Sequence, residues 1–182
     1  VLDNFEHLLA GARIVAALLE AAPQIKIVAT SRERLLLSSE VVYPLAGLRF
    51  PDQEPVDEAD VRSYSAVQLL LQRATAVRPN LEPDAQSFSH VVRICQMVEG
   101  MPLALVLAAS WLDMLSFAEV AGEIARGLDF LATEMSDLPD RQRSMRAVFD
   151  TSWKRLTTEE QKVLMGLTVF HGGFVREAAQ AV

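Results

Sequence analysis

Asp3 closes the apolar start of VLDNFEH. A carboxylate fixed at a strand end is how many nucleotide hydrolases hold the water shell of Mg²⁺ beside phosphates. The same placement also suits an aspartate that caps the following helix. Arg32 ends a second short apolar run, KIVATSRERL, one crossover further on. A guanidinium held there can donate two hydrogen bonds to a terminal phosphate, or pair on the surface with Glu33 or Glu6. Thr30 and Ser31 just before it either bind phosphate oxygens or turn the chain. In GMPLALVLAAS, Gly100 suits a left-handed helix cap and Pro102 the first turn of the next helix, where its missing N–H costs nothing. Such a rigid elbow can also lie flat against a purine ring.

These residues need elements to hold them. Apolar positions Leu8, Leu9, Ala12, Val15, Ala16 and Leu19 recur at helical spacing and predict a helix over Glu6 to Ala21. Lys26–Ala29 and Val41–Tyr43 are short β-branched runs, and strand, helix, strand at this spacing predicts a parallel sheet with crossover helices. Polar groups at the C-terminal ends of such strands converge on a ligand crevice, where Asp3 and Thr30-Ser31-Arg32 fall. From Pro51 to Asp60 the composition turns to Pro, Asp and Glu, which predicts a linker and a boundary near residue 55. Helices follow over Tyr64–Val77, Asp84–Val98, Leu103–Leu115, Phe117–Gly127, Arg141–Leu156 and Glu159–Val169, with a last start at Val175. Ser116…Glu119 and Thr157…Glu160 read as capping boxes, each satisfying two orphan backbone donors.

VLDNFEHLL, KIVATSRERL, YPLAGL, SAVQLLLQRA, GMPLALVLAAS and LPDRQRSMRAVFDTSWKRLTTEEQKVLMGLTVFHGGF, in this order, resemble successive segments of STAND/NB-ARC ATPases, most of all the modules in large bacterial LuxR-type and SARP-type regulators. The resemblance implies an α/β plus all-α architecture, mainly α overall. Residues 1–50 would be the second half of a P-loop NTPase sheet, 51–60 a linker, 61–135 a helical lid and 136–182 the first helices of a winged-helix domain. It makes Asp3 the Walker B aspartate, holding Mg²⁺ through water. Arg32, two residues after Thr30, becomes the sensor of the γ-phosphate, and Gly100 and Pro102 the elbow against adenine. The implied function is an ATP/ADP-dependent switch that controls attached output and sensor domains in transcriptional regulation. Two departures matter. Asn4 stands where a second acid often follows the Walker B aspartate, leaving Glu6 as the candidate general base. No Gly-x-x-x-x-Gly-Lys-[Ser/Thr] loop is found, so the chain is expected to begin inside the Walker B strand, and neither hydrolysis nor tight ATP binding is expected from it alone. His171, in a turn, is not expected to be the family's ADP-sensing histidine.

Composition narrows the alternatives. A net charge of −7 opposes general nucleic-acid binding. Residues 140–182 hold seven Lys/Arg against five Asp/Glu, too small an excess for a DNA face, and Arg141, Arg143 and Arg146 read as a solvated helix side. The longest uncharged stretch, Gly100 to Leu112, is too short to span a bilayer. The single cysteine, Cys95, falls on an apolar helix stripe, which fits a buried thiol in a reducing cytoplasm. The competing function is a nucleotide-independent helical interaction module. Bare sheet edges in residues 1–50 would favour self-association.

Overall fold

The computed structural model describes residues 1–52, 58–81, 83–133, 139–154, 156–170 and 174–180. It divides into two compact units, Val1–Ala46 and Gly47–Val182.

In the first unit the expected helix is split. Phe5–His7 and Leu9–Gly11 are single 3₁₀ turns, and the α-helix proper, α1, covers Ala12–Ala21. The reason lies at the entry. Asn4 sits in the left-handed region (φ 54°), and the Phe5 amide is tied to the Thr30 carbonyl at 2.9 Å. Phe5 is thereby buried with Ala12 and Val15, forming the small core of this unit. Gly11, a poor helix former, marks where regular α geometry starts.

The parallel pairing is shorter than the sequence implies. Leu2 and Ala29 form one parallel bridge, through Leu2 N–H to Val28 O at 2.8 Å and Thr30 N–H to Leu2 O at 2.9 Å. Ile27 and Ala29 pack on the Phe5 core while Val28 is 61% exposed, the alternation of a strand. Val41–Tyr43 is not a strand: Val41 and Tyr43 are exposed and no described backbone pairs with them. β-branched residues favour an extended chain, but a strand exists only where a neighbour takes its N–H and C=O groups. The described chain is mainly helical.

The second unit comprises α2 (Glu58–Ser63), α3 (Ser65–Val77), α4 (Ala85–Met97), α5 (Pro102–Ser110), α6 (Phe117–Arg126), α7 (Met145–Trp153), α8 (Thr158–Leu167) and α9 (Arg176–Gln180). Its centre is α5, whose Ala104, Leu105, Leu107, Ala108 and Ala109 are all buried; a helix apolar on every side belongs inside a bundle. Against it and each other pack Val67, Leu70 and Ala74 of α3, Val91, Ile94 and Cys95 of α4, and Val120, Ala121 and Ile124 of α6. Burial pushes the Cys95 thiol up to about 12, so it stays protonated and inert. Both expected capping boxes are present, and Asp84 and Ser144 cap α4 and α7.

Gly47–Pro51 packs on this helical unit. Leu48 N–H donates to Gly100 O at 2.8 Å, Arg49 N–H to Ser65 Oγ at 3.0 Å and Ala66 N–H to Arg49 O at 3.0 Å. Pro51 is fully buried and its carbonyl accepts from Gln96 Nε2 at 2.8 Å. Of the expected linker, residues 53–57 lie outside the described residues and 58–60 open α2. At the other end, Leu131–Thr133 runs antiparallel to Arg143–Met145 about the Ala132–Ser144 bridge. Leu131 is the last buried residue among those described, so α7, α8 and α9 add little to the core.

Candidate functional site

The parallel bridge between Leu2 and Ala29 brings the next residue of each segment, Asp3 and Thr30, side by side. Thr30 ties three groups together. Its hydroxyl donates to Asp3 Oδ1 at 2.5 Å and accepts the Asn4 N–H at 3.0 Å, while its carbonyl takes the Phe5 N–H. Accepting the Asn4 amide fixes the hydroxyl rotor, so its proton points at Asp3. The left-handed conformation of Asn4 turns its amide into this knot. Asn4 Nδ2 also reaches Asp3 Oδ2, at 3.5 Å. Thr30, read from sequence as a phosphate ligand or a turn, thus positions the Asp3 carboxylate.

Arg32 and Glu6 meet in the same unit. Arg32 Nε lies 3.9 Å from Glu6 Oε1, with the Glu6 side chain only 5% exposed and that of Arg32 48%. A cavity of about 650 Å³ opens between α1 and residues 27–45, its wall including Asn4, Glu6, Thr30 and Arg32. It also includes Arg34 and Glu40, 3.6 Å apart. Glu40 accepts the amides of Leu35 and Leu36, each at 3.0 Å, and Leu36 is left-handed (φ 56°). Sequence reasoning missed this Arg34–Glu40 pair, because nothing in SRERLLLSSE shows that the chain folds back on itself.

Gly100 and Pro102 belong to the second unit. The left-handed residue closing α4 is Glu99 (φ 50°), not Gly100 as expected: Glu99 N–H bonds Gln96 O and Gly100 N–H bonds Cys95 O, each at 3.0 Å, with Val98 as C-cap. This is the double bond pattern of a Schellman motif. Gly100 follows, also at positive φ (63°), and a Cβ there would fall 2.0 Å from Leu48 O. Gly47 interlocks from the other side, its own Cβ position lying 2.5 Å from Glu99 O. Gly100 is therefore buried under Leu48, whereas Pro102, at the first position of α5, is exposed.

Arg143 pairs with Asp140 and Arg146 with Asp129, each at 3.0 Å, so these members of the basic run already face carboxylates. His171 lies outside the described residues. Among the described residues no group of three or more His, Cys, Asp or Glu could hold a metal ion, and no helix is long and apolar enough to cross a membrane.

No protein-family model matches the chain, and no solved structure matches it. It is similar along its whole length to longer mycobacterial proteins. A Mycobacterium tuberculosis protein named "Putative HTH-type transcriptional regulator" is 36% identical over 183 aligned positions, and a Mycobacterium bovis protein of the same name matches equally. An uncharacterized Mycobacterium tuberculosis protein is 31% identical over the same span. The chain spans 19% of the length of the first two and 44% of the third. What the comparisons establish is a likeness to one segment of proteins named as transcriptional regulators.

Proposed function

We propose that the chain is the central portion of a cytoplasmic ATP/ADP-dependent switch of the STAND/NB-ARC type, acting within a longer transcriptional regulator. In this reading Asp3 holds the hydration shell of Mg²⁺, Arg32 reads the γ-phosphate, and the Gly100–Pro102 elbow meets adenine, with Pro102 as the contacting side chain. Residues 61–135 serve as the lid and 136–182 begin the winged helix. The supporting observation is the parallel bridge of Leu2 with Ala29, which sets Asp3 beside Thr30 just past the bridge with Arg32 lining the adjacent cavity. One oriented carboxylate suits Mg²⁺, which keeps most of its waters and takes its other ligands from phosphates. Glu6 is the less suitable general base, because its carboxylate faces Arg32.

The test is nucleotide preference in a longer chain that contains this segment. A charge-assisted hydrogen bond to the γ-phosphate is worth about 1.5–3 kcal/mol, so Arg32→Ala should cut the preference for ATP over ADP by roughly tenfold or more. Pro102→Ala should weaken both nucleotides alike. Equal losses for ATP and ADP in Arg32→Ala remove the sensor role, and absence of nucleotide binding in the longer chain removes the switch.

A second reading, a nucleotide-independent helical interaction module, is favoured by α8. It buries none of its residues and exposes Val163, Leu164 and Met165, with Val169 exposed just beyond. Partner binding that is indifferent to ATP, ADP and Arg32→Ala, but lost on Val163→Asp, would support it.

A further inference from the structure

Thr30 is held more firmly than an exposed threonine needs to be. Its N–H donates to Leu2 O and its carbonyl accepts the Phe5 N–H, each at 2.9 Å, so backbone bonds pin it on both sides to the Asp3 segment. The hydroxyl accepts the Asn4 N–H at 3.0 Å and donates to Asp3 Oδ1 at 2.5 Å. With a backbone amide on the hydroxyl oxygen, its proton stays on Asp3. The two oxygens of the Asp3 carboxylate are therefore unlike. Oδ1 accepts a short, charge-assisted bond, whereas Oδ2 has, among the described residues, only the 3.5 Å contact from Asn4 Nδ2. Asp3 is exposed, so Oδ2 is open to a ligand from solvent.

We infer that Thr30 sets which divalent cation Asp3 accepts, by keeping Oδ1 engaged and leaving a single oxygen, Oδ2, to the cation. This rests on the reading of Asp3 as the carboxylate of an Mg²⁺ site. Mg²⁺ keeps several of its waters and is served by one carboxylate oxygen, directly or through water. Ca²⁺ takes about six to eight oxygens and gains when a carboxylate gives both of its own. A carboxylate does that by turning its open edge to the cation, and the Thr30 bond holds Asp3 against that turn. The tie thus works against the larger ion and leaves the smaller one unaffected. Thr30 is a positioning residue, acting on the cation through Asp3.

The test is calorimetric titration of a longer chain that contains this segment with a non-hydrolysable ATP analogue, in Mg²⁺ and in Ca²⁺ at equal concentration. The readout is the ratio of the two affinities, in which the nucleotide's own preference between the ions is common to all variants. Thr30→Val, which keeps shape and removes the hydroxyl, should narrow the ratio of Mg²⁺ over Ca²⁺ by about tenfold, through tighter binding in Ca²⁺. Thr30→Ala should narrow it likewise, and Thr30→Ser, which restores the donor, should keep the ratio of the unsubstituted chain. A ratio unchanged in Thr30→Val and Thr30→Ala overturns the proposal, whether affinities hold or fall alike in both ions. So does a narrowing that comes wholly from weaker binding in Mg²⁺, or a Thr30→Ser ratio as narrow as that of Thr30→Val. No nucleotide binding by the unsubstituted longer chain removes this role and the switch together, whereas nucleotide binding with an unaltered ratio removes the Thr30 role alone.

Discussion

Glu99 and Gly100 divide between them a task that the sequence assigned to the glycine alone. Glu99 takes the left-handed cap position, where a side chain costs about 1–2 kcal/mol relative to right-handed backbone. Gly100 is then free for a role no other residue can fill, the close passage of Leu48. Gly100→Ala should destabilise the second unit by about 2–5 kcal/mol, adding left-handed strain to a clash with backbone that has no side chain to move aside. Chemical denaturation monitored by Trp111, which stacks on Phe130 and donates its indole N–H to Ala132 O, would measure it. A loss below about 1 kcal/mol would mean that Gly47–Pro51 can detach without consequence.

Among the elements, three described helices carry caps with a depressed carboxyl: α4, where Ser87 holds the Asp84 carboxyl below its ordinary value, and α6 and α8 with their capping boxes. The carboxyls of Glu119 and Glu160 are held below the ordinary value of 4.5, chiefly by the backbone N–H of Ser116 and Thr157 and then by their hydroxyls. A depressed carboxyl contributes stability above its unfolded pKa and loses it as pH falls through the folded one. Helicity of α6 and α8 should therefore hold above pH 4.5 and fray below it, and circular dichroism of Glu119→Gln with Glu160→Gln should lack this part of the acid transition. Helices were the legible layer: caps and 3.6-residue periodicity are local, so α3, α4, α6 and α8 lie within two residues of where their sequences indicate, whereas α5 passes into a 3₁₀ turn at Trp111 and α7 starts at Met145 after a separate 3₁₀ turn at Asp140–Gln142. Three features were not legible, the first two because they depend on distant backbone and the third because the local composition argues against a helix. They are the start of α1, set by the Phe5–Thr30 bond; the lack of a strand at Val41–Tyr43, which needs a pairing neighbour; and α2 inside a Pro- and acid-rich stretch. Of the candidate site, residue types at strand ends were readable. That Thr30 serves Asp3 and that Glu6 faces Arg32 were not, since both contacts join segments more than twenty residues apart.

At the scale of the molecule, apolar burial is very unequal. The first unit buries Phe5, Ala12 and Val15 while leaving Ile14, Leu18, Val28, Val41, Val42, Tyr43 and Leu45 exposed. The second has a continuous core from Val61 to Leu131. Backbone order costs about 1–2 kcal/mol per residue and must be offset by burial, so the first unit has little reserve. Native-state hydrogen exchange should find the amides of Val15–Leu19 opening well before those of Leu105–Ala109. Equal protection in the monomer would mean that the exposed apolar side chains of the first unit are covered in solution.

The anchoring of Gly47–Pro51 also decides where the helical unit can be cut out. Excision at residue 58, the start of α2, would remove the donor to Gly100 O, the donor to Ser65 Oγ and the acceptor for Gln96 Nε2 together, and would strip Leu48 and Phe50 from the helical core they pack against. A fragment starting at Gly47 keeps all three. Limited proteolysis should accordingly release a resistant helical piece whose N-terminus lies at or before Gly47, rather than one trimmed to the first residue of α2.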